Sequence, residues 1–301
     1  MIICCGEALI DMLPRHSDTG EPTFAPHAGG AVFNTAVALG RLGRPVQFFS
    51  GLSNDLFGDI LRERLAQSHV DASPAALSDR PTTLAFVTLT DGHASYAFYD
   101  ENTAGRMLGV DDLPATGADA LFFGGISLVV EPCGAAYEAL MLREAPTRVT
   151  MIDPNIRPSF ITDETAYRAR LTRMLGAADI IKSSDEDLEW ITGNTDAQEL
   201  LESTGAKIIL LTRGSEGVTV VTPTSQFDVP AQKASVVDTV GAGDTFSAGF
   251  LAELDTRGLL TKKAIATATQ ADLTAAAAFG ARVAAITVSR AGANPPWANE
   301  L

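Results

Sequence analysis

Val237-Asp238-Thr239-Val240-Gly241-Ala242-Gly243-Asp244-Thr245-Phe246 is the stretch on which the reading of the fold turns. Val236 and Val237 close an apolar, β-branched run, whereas Phe246, Phe250, Leu251 and Leu254 recur at three- and four-residue steps, so the order strand, glycine turn, helix is expected. The first N–H groups of such a helix have no acceptor within it, and the helix dipole adds partial positive charge there, so an anion is the natural guest. Gly241 and Gly243 suit the site because they tolerate φ > 0 and carry no Cβ to hold a phosphate away. Asp244 is the odd member, since a carboxylate repels an anion. Either it caps the helix, as aspartate commonly does, or it accepts a proton from a hydroxyl attacking a phosphoryl group, a transfer dominated by positioning and charge stabilisation. The second task needs a carboxylate ionised at neutral pH, which a helix start favours. A dinucleotide fingerprint would need glycine where Phe246 stands, and the Gly-Lys-Ser/Thr of a P-loop occurs nowhere.

At 301 residues and 46% hydrophobic, the chain can bury one large core, and a single α/β domain spanning 1–301 is the economical expectation. A net charge of −15 without a basic stripe speaks against nucleic acid and against an anionic membrane surface as partners. It does not speak against a nucleotide, whose phosphates are handled locally by backbone amides and Mg²⁺. Cys4, Cys5 and Cys133 read as small buried apolar residues in a reducing compartment, because adjacent cysteines rarely make a useful bridge. The N-terminus shows no basic region followed by a long apolar run, and no stretch approaches a membrane span, which places the protein in the cytosol.

Met1 to Cys5 opens as a short strand and runs on to Asp11, a carboxylate near a strand end where it can face a ligand. From there to Ala28, Pro14, Gly20, Pro22 and Pro26 predict loop or irregular edge strand. Gly29-Gly30 precede a helix with Val32, Ala36, Leu39 and Leu42 on one face, closed by Gly43; the pair is either a plain turn or a place where a ligand nears the backbone. After strand Val46–Gly51 and helix Phe57–Ser68, the alternating runs Leu84–Leu89 and Ala94–Tyr99 meet at Asp91-Gly92, a hairpin signal. A hairpin that interrupts βα alternation belongs outside a parallel sheet. Segments 11–28 and 84–103 are therefore expected to form a small β-sheet lid, with Phe98 and Asp100 on a face that can meet the substrate. Strands Ala120–Phe123, Val149–Asp153, Asp179–Lys182 and Lys207–Thr212 alternate with helices Cys133–Glu144 and Tyr167–Leu175. This is the pattern of an α/β fold with a doubly wound, mostly parallel sheet flanked by helices and ligands at the strands' carboxyl ends. Arg157 and Lys182 fall at such ends; Arg157 either clamps a phosphate or carboxylate or pairs with an aspartate. An alanine-rich helix near Ala271–Ala285 precedes the tail.

The ten residues quoted first resemble the signature of the ribokinase-like sugar kinases, the phosphofructokinase B family, since Asp238-Thr239 and Thr245-Phe246 fit as well as the Gly-Ala-Gly-Asp core. The resemblance implies that Gly241, Ala242 and Gly243 form the anion hole for a transferring phosphoryl group and that Asp244 is the catalytic base. It implies that Asp11, Gly29, Gly30 and Asn34 hold a sugar, and that Thr212, Gly214 and Gly217 of the loop Thr212-Arg213-Gly214-Ser215-Glu216-Gly217 serve ATP together with Lys182. The segment Ser184 to Gly193 is implied to organise Mg²⁺ through water held by Asp187 or Glu186, with Asp187 standing where the family has glutamate. The loop at Asp238 and the tail near Val288 to Pro295 are implied to hold a monovalent cation such as K⁺, and a homodimer through the lid is the expected assembly. Residues 4–12, 29–36, 98–106 and 153–158 are most similar to bacterial fructokinases, which implies ATP-dependent phosphorylation of the primary hydroxyl of D-fructose to fructose 6-phosphate. A 2-keto-3-deoxygluconate kinase, in which an arginine receives the acid, and a catalytically silent sugar or nucleotide sensor of the same fold are the alternatives.

Overall fold

The computed structural model describes residues 1–90 and 93–301. In chain order its strands are β1 (Ile2–Cys5), β2 (Leu9–His16), β3 (Pro22–Gly29), β4 (Val46–Phe49), β5 (Gly51–Ser53), β6 (Ala76–Ser78), β7 (Leu84–Thr90), β8 (His93–Tyr99), β9 (Ala120–Gly124), β10 (Val149–Asp153), β11 (Ile180–Ser184), β12 (Ile208–Thr212), β13 (Val218–Thr222) and β14 (Ser225–Val229). Its helices are α1 (Ala31–Arg41), α2 (Leu56–Gln67), α3 (Cys133–Glu144), α4 (Glu164–Leu175), α5 (Asp185–Thr192), α6 (Ala197–Thr204), α7 (Ala242–Thr256), α8 (Lys262–Ala266) and α9 (Gln270–Val288).

Eight strands form one sheet in the order β14-β13-β12-β11-β10-β9-β1-β4, parallel from β12 to β4 and antiparallel at β13 and β14. Its central strands read as continuous apolar runs because both faces are covered. Cys4, Phe122, Met151 and Leu210 enter the core shared with α1, α7 and α9, while their neighbours Cys5, Phe123, Ile152 and Leu211 enter the core shared with α3, α4 and α6. Successive strand residues point to opposite faces, so Cys4 and Cys5 lie in different cores and both stay free thiols. Each fully buried aromatic or branched side chain contributes roughly 1.5–3 kcal/mol.

The sites of chemistry follow from the loops at one edge of this sheet. Side-chain caps start several of the helices: Ser184 accepts from Asp187 N, and Thr269 from Asp272 N, each in a reciprocal capping box. A second, four-stranded sheet, β3-β2-β7-β8, is built from the segment after Leu9 and the expected hairpin. Strands β7 and β8 pair antiparallel from Leu84 opposite Tyr99 to Thr90 opposite His93, and the Asp91-Gly92 turn expected between them lies outside the described residues.

Three expectations need correction. Of loop and edge strand, the loop alternative falls: residues 9–29 form two full strands of the expected lid, and the prolines are accommodated by position, with Pro22 and Pro26 on the edge strand β3 and Pro14 beyond the Ile10–Met12 stretch where β2 also pairs with β7. No strand precedes Gly241. Val236 and Val237 are 64% and 63% exposed, and the amides of Val237 and Asp238 donate to Val288 O at the end of α9. A β-branched run that meets no neighbouring strand gains nothing from being extended. Finally, Gln270–Val288 is long and apolar enough to cross a membrane by length and composition. In this fold it packs along α7 through two glycines: a Cβ on Gly249 would lie 2.8 Å from Gly280 Cα.

Candidate active site

Gly241 takes the position before α7 with φ 77, a conformation that glycine adopts without strain, and no side chain caps this helix. Asp244 is therefore not the cap. Its Oδ2 accepts from Asn34 Nδ2 at 2.9 Å, and its backbone carbonyl accepts from Thr35 Oγ1 at 3.1 Å, so the starts of α1 and α7 are tied together at the carboxylate. Gly243 passes close to a cation: a Cβ there would lie 2.9 Å from Lys182 Nζ. Of the anion-hole amides, that of Ala242 donates to Thr239 O at 3.3 Å.

Burial pushes the Asp244 carboxyl up to about 7, with Asp153 and Glu7 adding in the same direction and the Asn34 hydrogen bond and Lys182 opposing. The expectation of a fully ionised group is thus corrected. Partial charges at a helix start do not offset the loss of water around a carboxylate that is 9% exposed. A base with this affinity is matched to operation near neutrality.

Asp244 opens on a cavity of about 330 Å³, whose walls include Asp11, Asn34, Phe98, Arg157 and Lys182. Asp11, on β2, is pushed up to about 6 by burial. A Cβ on Gly29 would displace the Asp11 carboxylate from its present position, and Gly30 turns the chain with φ 108 into α1. Phe98 packs edge-on to Phe160 at 4.8 Å. Arg157 donates to Ile156 O at 3.0 Å and is in no ion pair among the described residues, so the aspartate pair offered as its other role is not formed. Lys182 does pair, with Asp153 at 2.8 Å, and both are buried. Burial and Asp153 act on the ammonium in opposite senses and the carboxylate prevails, so the lysine holds its proton more tightly than usual.

Two expected residues lie elsewhere. Asp100 is not on the cavity wall: it accepts from Thr83 Oγ1 at 2.8 Å and pairs with Arg106 at 3.7 Å, below the lid's last strand. Asp187 is spent on structure, its Oδ1 on Ile156 N at 2.9 Å and its Oδ2 on Ser184 N at 3.4 Å, while Glu186 is exposed. No group of three or more His, Cys, Asp or Glu among the described residues could cage a metal. Such a donor set fits a hydrated cation riding on nucleotide phosphates, not one held by the chain alone.

Along the same sheet edge, Thr212 pairs with Ser184 at the end of β12 and donates its hydroxyl to Ser183 O at 3.3 Å. Gly214 has φ 52 and open space at its Cα, as a close-approaching ligand would need, whereas Gly217 is demanded by packing, since its Cβ would meet the backbone of residues 229–231. Asp238 staples two loops, accepting from Val240 N at 3.0 Å and Gly292 N at 2.9 Å. The residue that sequence reasoning missed is Glu7. It is buried, accepts from Ala31 N at 2.9 Å and Ser127 N at 3.4 Å, and lines the cavity. The signal was a carboxylate one glycine beyond the end of a buried strand.

These elements define a sugar kinase of the ribokinase-like fold. The chain matches the pfkB family carbohydrate kinases over residues 1–300 and belongs to that family. It is 55% identical over 271 residues to a fructokinase from Rhizobium leguminosarum bv. trifolii, covering 88% of this chain and 83% of that protein. Among solved structures it is similar to fructokinase with bound ATP from Xylella fastidiosa, with 30% identity, TM-score 0.89 and coverage of 97% and 93% of the two chains. A double mutant of fructokinase from Vibrio cholerae O395 in its fructose-, ADP- and potassium-bound form is 25% identical, with TM-score 0.84 and coverage of 97% and 93%.

Proposed function

We propose that the chain transfers the γ-phosphoryl group of ATP to the primary hydroxyl of D-fructose, giving fructose 6-phosphate and ADP. The observation that carries this reading is the buried Asp244 carboxylate, held by Asn34 at 2.9 Å at the start of α7 and facing the same cavity as Asp11. As the hydroxyl oxygen bonds to phosphorus and the bond to the ADP oxygen breaks, the hydroxyl proton passes to Asp244. The amides of Gly241 and Gly243 at the start of α7 and the Lys182 ammonium face the charge on the moving phosphoryl group. Asp11, Asn34 and the Gly29-Gly30 turn hold the sugar, with Phe98 against its apolar side and Arg157 on the rim.

Thr212, Gly214 and Gly217 border the nucleotide, and the exposed Glu186 would hold the water of an Mg²⁺ ion arriving on its phosphates, whose charge the ion would neutralise, while Asp187 fixes the segment through the Ile156 and Ser184 amides. K⁺ at the Asp238 and Gly292 loops, pairing of two lids through the exposed Phe24 and Tyr99, and a cytosolic location suited to three free cysteines complete the reading. The relatives named as fructokinases favour fructose over a keto acid, and an intact Asp244 favours turnover over a silent sensor.

The test is a coupled assay of a sugar panel with Mg-ATP, in which D-fructose should give the highest kcat/KM; a clear preference for 2-keto-3-deoxygluconate would overturn the assignment. Asp11→Asn is expected to lower kcat/KM for fructose by about 10²-fold with little change in KM for ATP, because a buried partner of a sugar hydroxyl is lost. Steady-state kinetics with each substrate varied would check it, and an unchanged fructose term would remove Asp11 from the site.

A further inference from the structure

Beside the catalytic cavity lies a larger one of about 920 Å³, between lid strands β2 and β3, helix α2 and the loops at 238–240 and 291–294. The two share the wall made by Asp11, Tyr96, Thr239 and Val240. Its volume is that of a small-molecule site. In a chain of net charge −15, this chamber carries an anomaly. Arg64 on α2 is half-buried on its lining, and its guanidinium has no hydrogen-bond or ion-pair partner among the described residues. Burial lowers its proton affinity and that of Arg41, to which Arg64 adds in the same sense; Arg41 donates to Asn294 Oδ1 on the chamber wall at 2.7 Å.

The acids on the lining do not answer Arg64. Glu63 accepts from Gln67 Nε2 at 2.9 Å, Asp238 is occupied by the Val240 and Gly292 amides, and Asp11 sits on the wall shared with the catalytic cavity. A half-desolvated guanidinium without a counter-charge is stabilised by an anion, and its planar fork matches phosphate. Of the other polar groups, Gln67, His27, Thr239 and Asn294 suit hydroxyls and the exposed Arg15 is a second cation on the lining; among the described residues Tyr96 is the only Phe, Tyr or Trp there, so the walls offer little for a nucleotide base to stack on.

We propose that this chamber is a second ligand site that takes a phosphorylated sugar, with its phosphate on Arg64. An occupant would press on both β2 and the Thr239-Val240 segment that leads into the anion hole, so it would change turnover without competing for the catalytic cavity. The proposal depends on the functional reading above only for the choice of probe.

The test is calorimetric titration of fructose 6-phosphate into the chain saturated with fructose and a non-hydrolysable ATP analogue, so that the catalytic cavity is filled. One equivalent should bind. Arg64→Gln should weaken that binding by about tenfold or more, the loss typical of a hydrogen-bonded charge, and Arg64→Lys should recover part of it. Product-free kcat/KM for fructose in Arg64→Gln should stay within about twofold. Inorganic phosphate, as a second arm, should bind more weakly at the same place and compete. No uptake by the saturated chain, or equal uptake by Arg64→Gln, overturns the site; phosphate binding tighter than the sugar ester overturns the ligand class. Uptake at Arg64 by a chain that proves unable to phosphorylate fructose would support the site while sinking the functional reading.

Discussion

Replacing Asp244 by asparagine is expected to lower kcat with fructose by roughly 10²–10⁴, the span of a positioned acid/base group, while nucleotide affinity changes little. The amide keeps the shape of the side chain and removes its charge together with the ability to take the proton. The same change should make the fold more stable above neutral pH. Burial penalises the charge and pushes the folded carboxyl up to about 7 from the 3.8 that an aspartate has in the unfolded chain. Between those values the unfolded chain is ionised and the folded one protonated, so this group costs stability progressively as pH rises and imposes its full penalty above about 7. The variant lacks that penalty. Thermal unfolding at pH 5 and pH 8 should show Asp244→Asn gaining on the native chain at the higher pH. Wild-type turnover in the variant would place the base elsewhere.

The largest effect on stability is expected at Lys182. With Asp153 it forms a buried ion pair at 2.8 Å, and Asp153 Oδ1 has no hydrogen-bond partner among the described residues. Lys182→Met leaves that carboxyl buried without its counter-charge, which costs roughly 3–5 kcal/mol. Burial already pushes the Asp153 carboxyl up despite the lysine, so part of the cost is relieved by protonation as pH falls. Lys182→Met combined with Asp153→Leu should recover most of the loss, because the uncompensated charge goes with it. Urea unfolding at pH 7 measures both variants, and equal stability of the single and double changes would show that the pair is not what holds this corner. Phosphoryl transfer should fall in both, since the cation beside Gly243 is gone.

The parts of the fold that sequence revealed were those with a local physical cause. β9, β10 and β12 lie within about a residue of their expected ends because two-sided burial writes each as an apolar run bounded by glycine or charge. The glycine turn leading into a helix was legible at Gly241, which precedes α7 with φ 77, and Asp244 follows it on the cavity wall. What sequence did not reveal depends on partners far along the chain. Asp11 meets its neighbours only through pairing of β2 with β3 and β7, and prolines that read as loop are tolerated at the edge. Asp100 alternates with Phe98, yet its carboxylate turns to Thr83 and Arg106. Asp187 sits at the expected position but is consumed by Ile156 and Ser184 amides. The Lys182–Asp153 pair and the Glu7 bridge between α1 and Ser127 join segments that no spacing rule connects.

One acidic group at the head of α7, kept out of water so that it changes charge near neutrality, is the centre of the account. The most direct test is the pH dependence of kcat/KM for fructose in the native chain beside that of Asp244→Asn, which also separates this group from Asp11, pushed up to about 6. The native rate should rise with pH through a limb near pH 7 and level off once the carboxylate is ionised, and the residual rate of the variant should show no rise there. A limb near pH 7 that persists in the variant would contradict the assignment of Asp244 as the proton acceptor.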